Sequence, residues 1–197
     1  EPPRWVDQAT LADMQRRGVR PAEGVVVKVT TPDAASGFPH RQEFVYLPPA
    51  WFATTPPPRL PAVMMFGGEF GHPDDLLRSA NVLGALDAFT ARHRGNAPVM
   101  VFPDVGGQFS NDTECVNGTR GNSADHLVKD VVPYVISQFG VSPDPANWGL
   151  AGWSSGGTCA LMLGVLHPEL FSTIVDLDGQ LGPNAGTREQ TIARLFD

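Results

Sequence analysis

The residues best suited to chemistry lie in the stretch 147–157, which reads N-W-G-L-A-G-W-S-S-G-G. Within it, Gly152-Trp153-Ser154-Ser155-Gly156 is a G-x-S-x-G. A serine hydroxyl is a weak nucleophile until its geometry exposes it and a base takes its proton. The motif supplies the geometry. Residues 148–151 read as a short buried strand, and residues 155–167 as a helix apolar all round, hence buried on most sides. A serine on the tight turn between them holds strained backbone with its hydroxyl pushed outward. Side chains two residues to either side would collide, so Gly152 and Gly156 are required. The helix that begins there aims free N–H groups and the positive end of its dipole at the same point, which suits an oxyanion. Without chemistry the stretch is a plain glycine-rich turn. The flanking strand and buried helix favour a nucleophile elbow centred on Ser154.

An acyl-transfer serine also needs two oxyanion donors, a base, and an acid that orients the base. One donor is the backbone N–H of the residue after the nucleophile, Ser155. The second comes from a glycine-rich loop after an earlier strand, and Gly67-Gly68-Glu69-Phe70-Gly71 occupies that place. The donor there is the N–H of Gly68 or of Glu69, with Glu69 preferred. Trp153 beside the serine and His72 beside the glycine loop are candidate substrate contacts. His40, His72, His93 and His126 otherwise read as surface or capping residues. Asp176 and Asp178 end a strand near the catalytic edge of the sheet, where some hydrolases take their acid. Asp104, Asp112, Glu114 and Asp125 make no recognisable metal-ligand pattern, and nothing here calls for a metal or an organic cofactor.

These groups need a scaffold of strands alternating with helices. Residues 24–31 and 41–47 read as two strands joined by the turn residues 33–39, an antiparallel hairpin. Residues 61–66 form a buried strand that leads into the glycine loop. Asp74 or Asp75 then caps a helix with Leu76, Ala80, Leu83, Leu86 and Phe89 on its apolar side. Residues 97–102 are the next strand. Ser123 caps a helix with Leu127, Val131 and Val135 inside and a bend at Pro133. The elbow follows, then a strand over 171–177 and a helix over 187–196. Residues 1–21 offer a short amphipathic helix, with Trp5, Val6, Leu11 and Met14 apolar and Gly18 as its stop, laid on the surface of a main domain spanning 22–197. A hairpin followed by strand–helix alternation predicts an α/β sandwich with a mostly parallel sheet.

The 197 residues suffice for one good core and are short for two. A net charge of −7 argues against nucleic acid, whose phosphates need clustered Lys and Arg. No apolar run reaches transmembrane length and no signal-peptide pattern is present. The chain opens on Glu1 rather than Met, so it is expected to be a processed product or a cut segment, from which an export or membrane segment could have been removed. Cys115 lies in a polar loop and Cys159 on the buried helix. They could pair in an exported protein or stand as separate thiols.

The run Val101-Phe102-Pro103-Asp104-Val105-Gly106-Gly107-Gln108 resembles the V-M-P-V-G-G-Q run of the secreted mycobacterial mycolyltransferases. So do G-L-A-G-W-S-S-G-G, the H-P-E-L-F at 167–171 and the D-G at Asp178-Gly179. From about residue 24 onward the chain resembles the esterase D and mycolyltransferase branch of the α/β hydrolases, and N-D-T-E-C with F-G-V-S-P-D-P resembles an actinobacterial member. The resemblance implies the α/β-hydrolase fold, a three-layer sandwich, with the triad in the order serine, acid, histidine. It places acid and histidine past further strands, so both are expected outside this sequence, which then looks truncated at its C-terminus. His167, the one histidine after Ser154, matches a helix-end His-Pro rather than the base. The mycolyltransferases also place an aspartate and an arginine in the glycine loop for trehalose. Glu69 and Phe70 stand there instead, without arginine, so trehalose is not implied. Residues 111–122 could line the pocket or form an ordinary solvated loop, the latter being favoured.

The implied activity is a serine-dependent carboxylic ester hydrolase or acyltransferase of the cell envelope. Its substrate would be an ester, an acyl-lipid or an acyl-sugar. The implied location is extracytoplasmic, with a membrane tether upstream of residue 1 as one form. The expected absence of base and acid keeps a second reading open, a non-catalytic hydrolase-fold binding module.

Overall fold

A computed structural model describes residues 4–196. Its backbone is a seven-stranded sheet flanked by helices on both faces. Strand β1 (Trp5–Val6) pairs in parallel with β2 (Val25–Val29), which pairs antiparallel with β3 (Glu43–Leu47). Between β1 and β2 runs α1 (Gln8–Arg16), capped by the Asp7 carboxylate on the Thr10 N–H. Next come β4 (Ala62–Phe66), α2 (Asp75–Arg78), α3 (Val82–Arg92) and β5 (Val99–Phe102). A two-stranded ribbon, β6 (Asn117–Gly118) with β7 (Gly121–Asn122), precedes α4 (Ser123–Asp125), a π-helical turn over His126–Val131, and α5 (Val132–Phe139). The chain closes with β8 (Trp148–Trp153), α6 (Ser155–Leu166), β9 (Thr173–Leu177) and α7 (Arg188–Leu195). The strand order is β1-β2-β3-β5-β4-β8-β9, and β5, β4, β8 and β9 are mutually parallel. This is the predicted α/β sandwich.

Two apolar layers account for its stability. Val27, Val45, Met64 and Val101 on one sheet face pack with Leu127, Val135 and Leu163 of the π turn, α5 and α6. Val26, Tyr46, Met100 and Phe102 on the other face pack with Leu77 and, half-buried, Leu83 and Leu86 of α2 and α3. The alternation along each strand divides the two sets, because successive side chains point to opposite faces.

Several elements differ from the sequence reading. Trp5 and Val6 do not belong to the N-terminal helix. They add an edge strand to the sheet, so this segment is built into the fold rather than laid over it. The predicted helix after the glycine loop is broken in two at Asn81, which takes a left-handed conformation at φ 53°. Asparagine tolerates that region better than most residues. Neither Asp74 nor Asp75 caps α2 through its side chain. The Asp75 carboxylate instead accepts from the N–H of His72. The Ser123 hydroxyl donates to the Val105 carbonyl and does not cap. The irregularity assigned to Pro133 appears as the wider turn just before it, where a helix must adjust to a residue without an N–H. Helix α6 is buried along Cys159, Ala160 and Leu163 but leaves Val165 and Leu166 in solvent. The loop 111–122 is not solvated throughout, since Thr113, Glu114, Cys115 and Val116 are buried. Cys115 and Cys159 form a disulfide that ties this loop to α6.

The largest correction concerns His126. It is no surface residue. Its imidazole is fully buried, with Nε2 2.9 Å from Glu43 Oε2 and Nδ1 3.0 Å from Asp130 Oδ2. The His40 ring stacks on it at 4.5 Å. Burial alone would oppose the imidazolium, but hydrogen bonds to Glu43 and Asp130 outweigh it and hold His126 above its ordinary range. Burial likewise raises Asp104 and Asp130. Arg41 on the first, and Ser36 with His126 on the second, outweigh it and hold both carboxyls below their usual range.

Replacing His126 with Phe removes both hydrogen bonds and leaves two buried carboxyls without their shared partner. The expected loss is about 3–5 kcal/mol, read from the urea midpoint. The sign of the pH dependence follows from the shifts. His126 contributes fully below 6.5 and its contribution fades as pH rises through its raised value. Asp104 and Asp130 contribute above 3.8 and fade as pH falls through their depressed values. Wild-type melting temperatures across pH should therefore peak between these limits, and the His126→Phe peak should flatten on its alkaline side.

Candidate active site

The register of the parallel strands brings the site together. Phe66 and Gly152 are paired, as are Gly152 and Asp176, so β4, β8 and β9 end at one edge of the sheet. β4 runs into the glycine loop there, and β8 into Ser154. Active sites of open α/β sheets form at this carboxyl edge.

Ser154 holds φ 57° and ψ −124°, a conformation that disfavours any side chain. Its own N–H donates to Leu177 at 2.9 Å, and its carbonyl accepts from Gly157 and Thr158. These bonds fasten the strained residue to β9 on one side and α6 on the other. The glycines are required by close approach. A Cβ on Gly152 would overlap the Gly156 carbonyl, and one on Gly156 would overlap the carbonyls of Phe66 and Gly67. The elbow thus rests directly on the end of β4.

The glycine loop lies against the serine. A Cβ placed on Gly68 would sit 3.6 Å from the Ser154 Cβ. The N–H of Glu69 donates to the Ser155 hydroxyl at 2.6 Å, which brings the two chain segments proposed as oxyanion donors together. The Ser155 hydroxyl thus occupies the Glu69 donor. The Glu69 carboxyl is exposed, and its pKa is raised first by partial burial and then by Asp112.

Arg41 and Asp104 are site residues that sequence reasoning missed. Arg41 Nη1 donates to the Gly71 carbonyl at 2.7 Å, while Nη2 donates to Asp104 Oδ1 at 3.0 Å. Asp104 also accepts from the N–H groups of Arg41, Gly106 and Gly107, and its own N–H donates to Glu43. The glycine loop is therefore moored to the buried charges around His126. No spacing in the sequence signals this, since Arg41 lies just before one strand and Asp104 just after another.

Two cavities flank the loop. An apolar one of about 400 Å³ is lined by Met65, Phe70, Leu76, Val82, Trp153 and Leu177. A polar cleft of about 40 Å³ lies on the side of Ser155, Glu69, Asp112 and Glu114. Trp153, 54% exposed, and His72 both line the apolar cavity. His72 Nδ1 lies 3.4 Å from Arg41 Nη1, and its ring 6.2 Å from that of Phe109. Glu114 is buried, and burial followed by the nearby Asp112 pushes its carboxyl up to about 7.

The remaining histidines do not serve the serine. His93 and His167 stand at the C-caps of α3 and α6, as the sequence suggested for capping residues. Asp176 accepts from the N–H of Gly179 and is not paired with a histidine among the described residues. His40, Glu43 and His126 bring potential metal ligands within 4.8 Å of one another. Their bonding does not suit a metal. Both nitrogens of His126 face carboxylates, and His40 directs Nδ1 at the Arg41 carbonyl and Nε2 at the Thr31 carbonyl. A ring nitrogen facing such an acceptor presents its N–H rather than a lone pair.

Comparison with known proteins agrees with this geometry. The family model described as Putative esterase matches residues 40–186. An uncharacterized protein of Corynebacterium glutamicum is 35% identical over 189 residues, covering 96% of this chain and 44% of that protein. The chain thus spans less than half the length of this curated relative. Among solved structures, a fluorophosphonate-binding serine hydrolase of Staphylococcus aureus superposes with a TM-score of 0.65 at 19% identity, over 89% of this chain and 68% of that one. A ferulic acid esterase of Anaeromyces mucronatus gives 0.60 at 20% identity, over 80% and 62%. MPT51 of Mycobacterium tuberculosis gives 0.57 at 18% identity, over 82% and 54%. The shared architecture is the α/β-hydrolase fold.

Because Gly156 meets two backbone carbonyls that cannot move aside, Gly156→Ala should lower both the melting temperature and the midpoint of urea unfolding. Gly182→Ala, where a Cβ meets nothing within 4 Å, is expected to leave both unchanged.

Proposed function

The chain belongs to the esterase family whose model it matches, and from that premise we propose a serine-dependent hydrolase or acyltransferase of carboxylic esters. The carrying observation is the strained Ser154 set against the glycine loop, whose Glu69 N–H reaches the side chain of the next residue, Ser155. The Ser154 hydroxyl attacks the ester carbonyl. The two N–H groups take the oxyanion as it forms, the Glu69 donor exchanging the Ser155 hydroxyl for it. The alcohol leaves and an acyl-serine remains, which water or a second alcohol then resolves. The apolar cavity beside Trp153 suits the acyl group.

The proton of Ser154 needs a base, and among the described residues no histidine hydrogen-bonds its side chain. The proposal assigns that role to a histidine outside residues 4–196, held by an acid of the same origin. The location proposed is extracytoplasmic. The Cys115–Cys159 disulfide supports it, because such bonds persist in oxidising compartments. No helix among the described residues is long and apolar enough to cross a membrane.

The test is hydrolysis of a short nitrophenyl ester by the full-length protein. Ser154→Ala should lower kcat by at least about 10³-fold with the fold intact. Unchanged turnover in that variant would sink the proposal. A wild-type protein that neither turns over the ester nor takes up a fluorophosphonate would favour a non-catalytic binding module.

A further inference from the structure

The glycine loop holds a conformation that its sequence disfavours. Phe70 has φ 64°, and a bulky side chain is a poor occupant of the left-handed region. Burial does not offset the strain. Phe70 is 63% exposed, and its aromatic neighbour Phe109, 6.0 Å away, is exposed as well. Backbone strain of this kind persists only where the surroundings impose it.

Bonds on either side of Phe70 do so. On the near side, the Glu69 N–H donates to the Ser155 hydroxyl at 2.6 Å. On the far side, the peptide group between Gly71 and His72 is held at both ends. Its carbonyl accepts from Arg41 Nη1 at 2.7 Å, and its N–H donates to the Asp75 carboxylate at 2.8 Å. A Cβ on Gly71 would overlap that carboxylate, so loop backbone and helix start lie in close contact. A change of φ at Phe70 swings the chain on both sides of it, so the residue can relax only if one of these groups lets go. The far hold is the rigid one. Arg41 is anchored by its backbone N–H, Nε and Nη2 to the buried Asp104 carboxylate, and Asp75 opens α2. The held segment lies at the nucleophile, because a Cβ on Gly68, just before the Glu69 donor, would sit 3.6 Å from the Ser154 Cβ.

We propose that Arg41 is a positioning residue for the reaction. By holding the Gly71 carbonyl it keeps Phe70 left-handed, and so keeps the Glu69 N–H turned toward the elbow where the oxyanion forms. Asp75, on the N–H of the same peptide group, acts in the same direction. The inference rests on the esterase reading of Ser154.

The experiment is a double-mutant cycle on the full-length protein with nitrophenyl butyrate as substrate. Arg41→Lys leaves a cation beside Asp104 but lacks the planar fork that serves two acceptors at once. Phe70→Asn introduces a residue that tolerates the left-handed region. The loss of its ring from the cavity wall is the same with and without Arg41, so it cancels in the comparison. With Phe70 present, Arg41→Lys should lower kcat about 30-fold while KM changes by less than about twofold. In the Phe70→Asn background it should lower kcat only about threefold, since nothing then drives the loop out of its conformation. A merely structural role would make Arg41→Lys equally damaging in both backgrounds. Asp75→Ala leaves Asp104 paired and should repeat the pattern, which carries the test if Arg41→Lys does not fold. Equal losses in the two backgrounds, or an undiminished kcat once the peptide group is released, would overturn the inference while leaving the esterase reading intact. Failure of the wild type to cleave the ester, or cleavage that survives Ser154→Ala, would overturn the esterase reading and this inference with it.

Discussion

The structure depends on one close approach. The first turn of α6 sits so near the end of β4 that backbone carbonyls occupy the place of a side chain at Gly156, and the Gly156 carbonyl occupies it at Gly152. That contact sets the angle at which strand gives way to helix. It leaves Ser154 at positive φ, a strain sustained because hydrogen bonds to Leu177, Gly157 and Thr158 hold the residue from both sides. It also brings the helix N-terminus next to the loop that follows β4. The strained serine, the helix N-terminus and the neighbouring glycine loop are thus consequences of a single packing constraint rather than separate features.

A second constraint is electrostatic and lies deeper. His126 is held between Glu43 and Asp130, and Glu43 accepts from the Asp104 N–H. Asp104 in turn binds Arg41, whose guanidinium reaches the Gly71 carbonyl. Each member relieves the burial cost of the next, so the chain of contacts is stable only when complete. At its far end it fixes the glycine loop. A flexible G-G-E-F-G segment would otherwise lose conformational entropy when it closes on an oxyanion, and mooring it in advance lowers that cost.

The loop that carries Cys115 works differently. It is tied to α6 by a disulfide, includes two left-handed residues, and buries the Glu114 carboxyl instead of exposing it to solvent. Polar composition alone made residues 111–122 look solvated. Buried Thr113, Glu114, Cys115 and Val116 show that it is part of the wall. The site therefore has an apolar side bounded by Trp153 and Leu76 and a polar side bounded by Asp112 and Glu114.

Local chemistry made much of this legible in the sequence. The elbow could be read because a tight strand–helix turn excludes all but glycine at set distances from the serine. The hairpin and the strand–helix alternation could be read because apolar periodicity reflects which face is buried. Tertiary structure decided what depends on residues far apart in the chain. Trp5 and Val6 became a strand because the edge of β2 was free to pair. His126 became a buried histidine with a raised pKa because Glu43 and Asp130 converge on it from different elements. Arg41 acquired its role by spanning from β3 to the glycine loop, and Cys115 found Cys159 across 44 residues. The sequence by itself determined the strained strand–helix turn at Ser154 and the order of elements, since both follow from short-range sterics and periodicity. Which charges hold the glycine loop, and which carboxyls are buried, were decided only when the sheet closed and brought distant side chains within hydrogen-bonding distance.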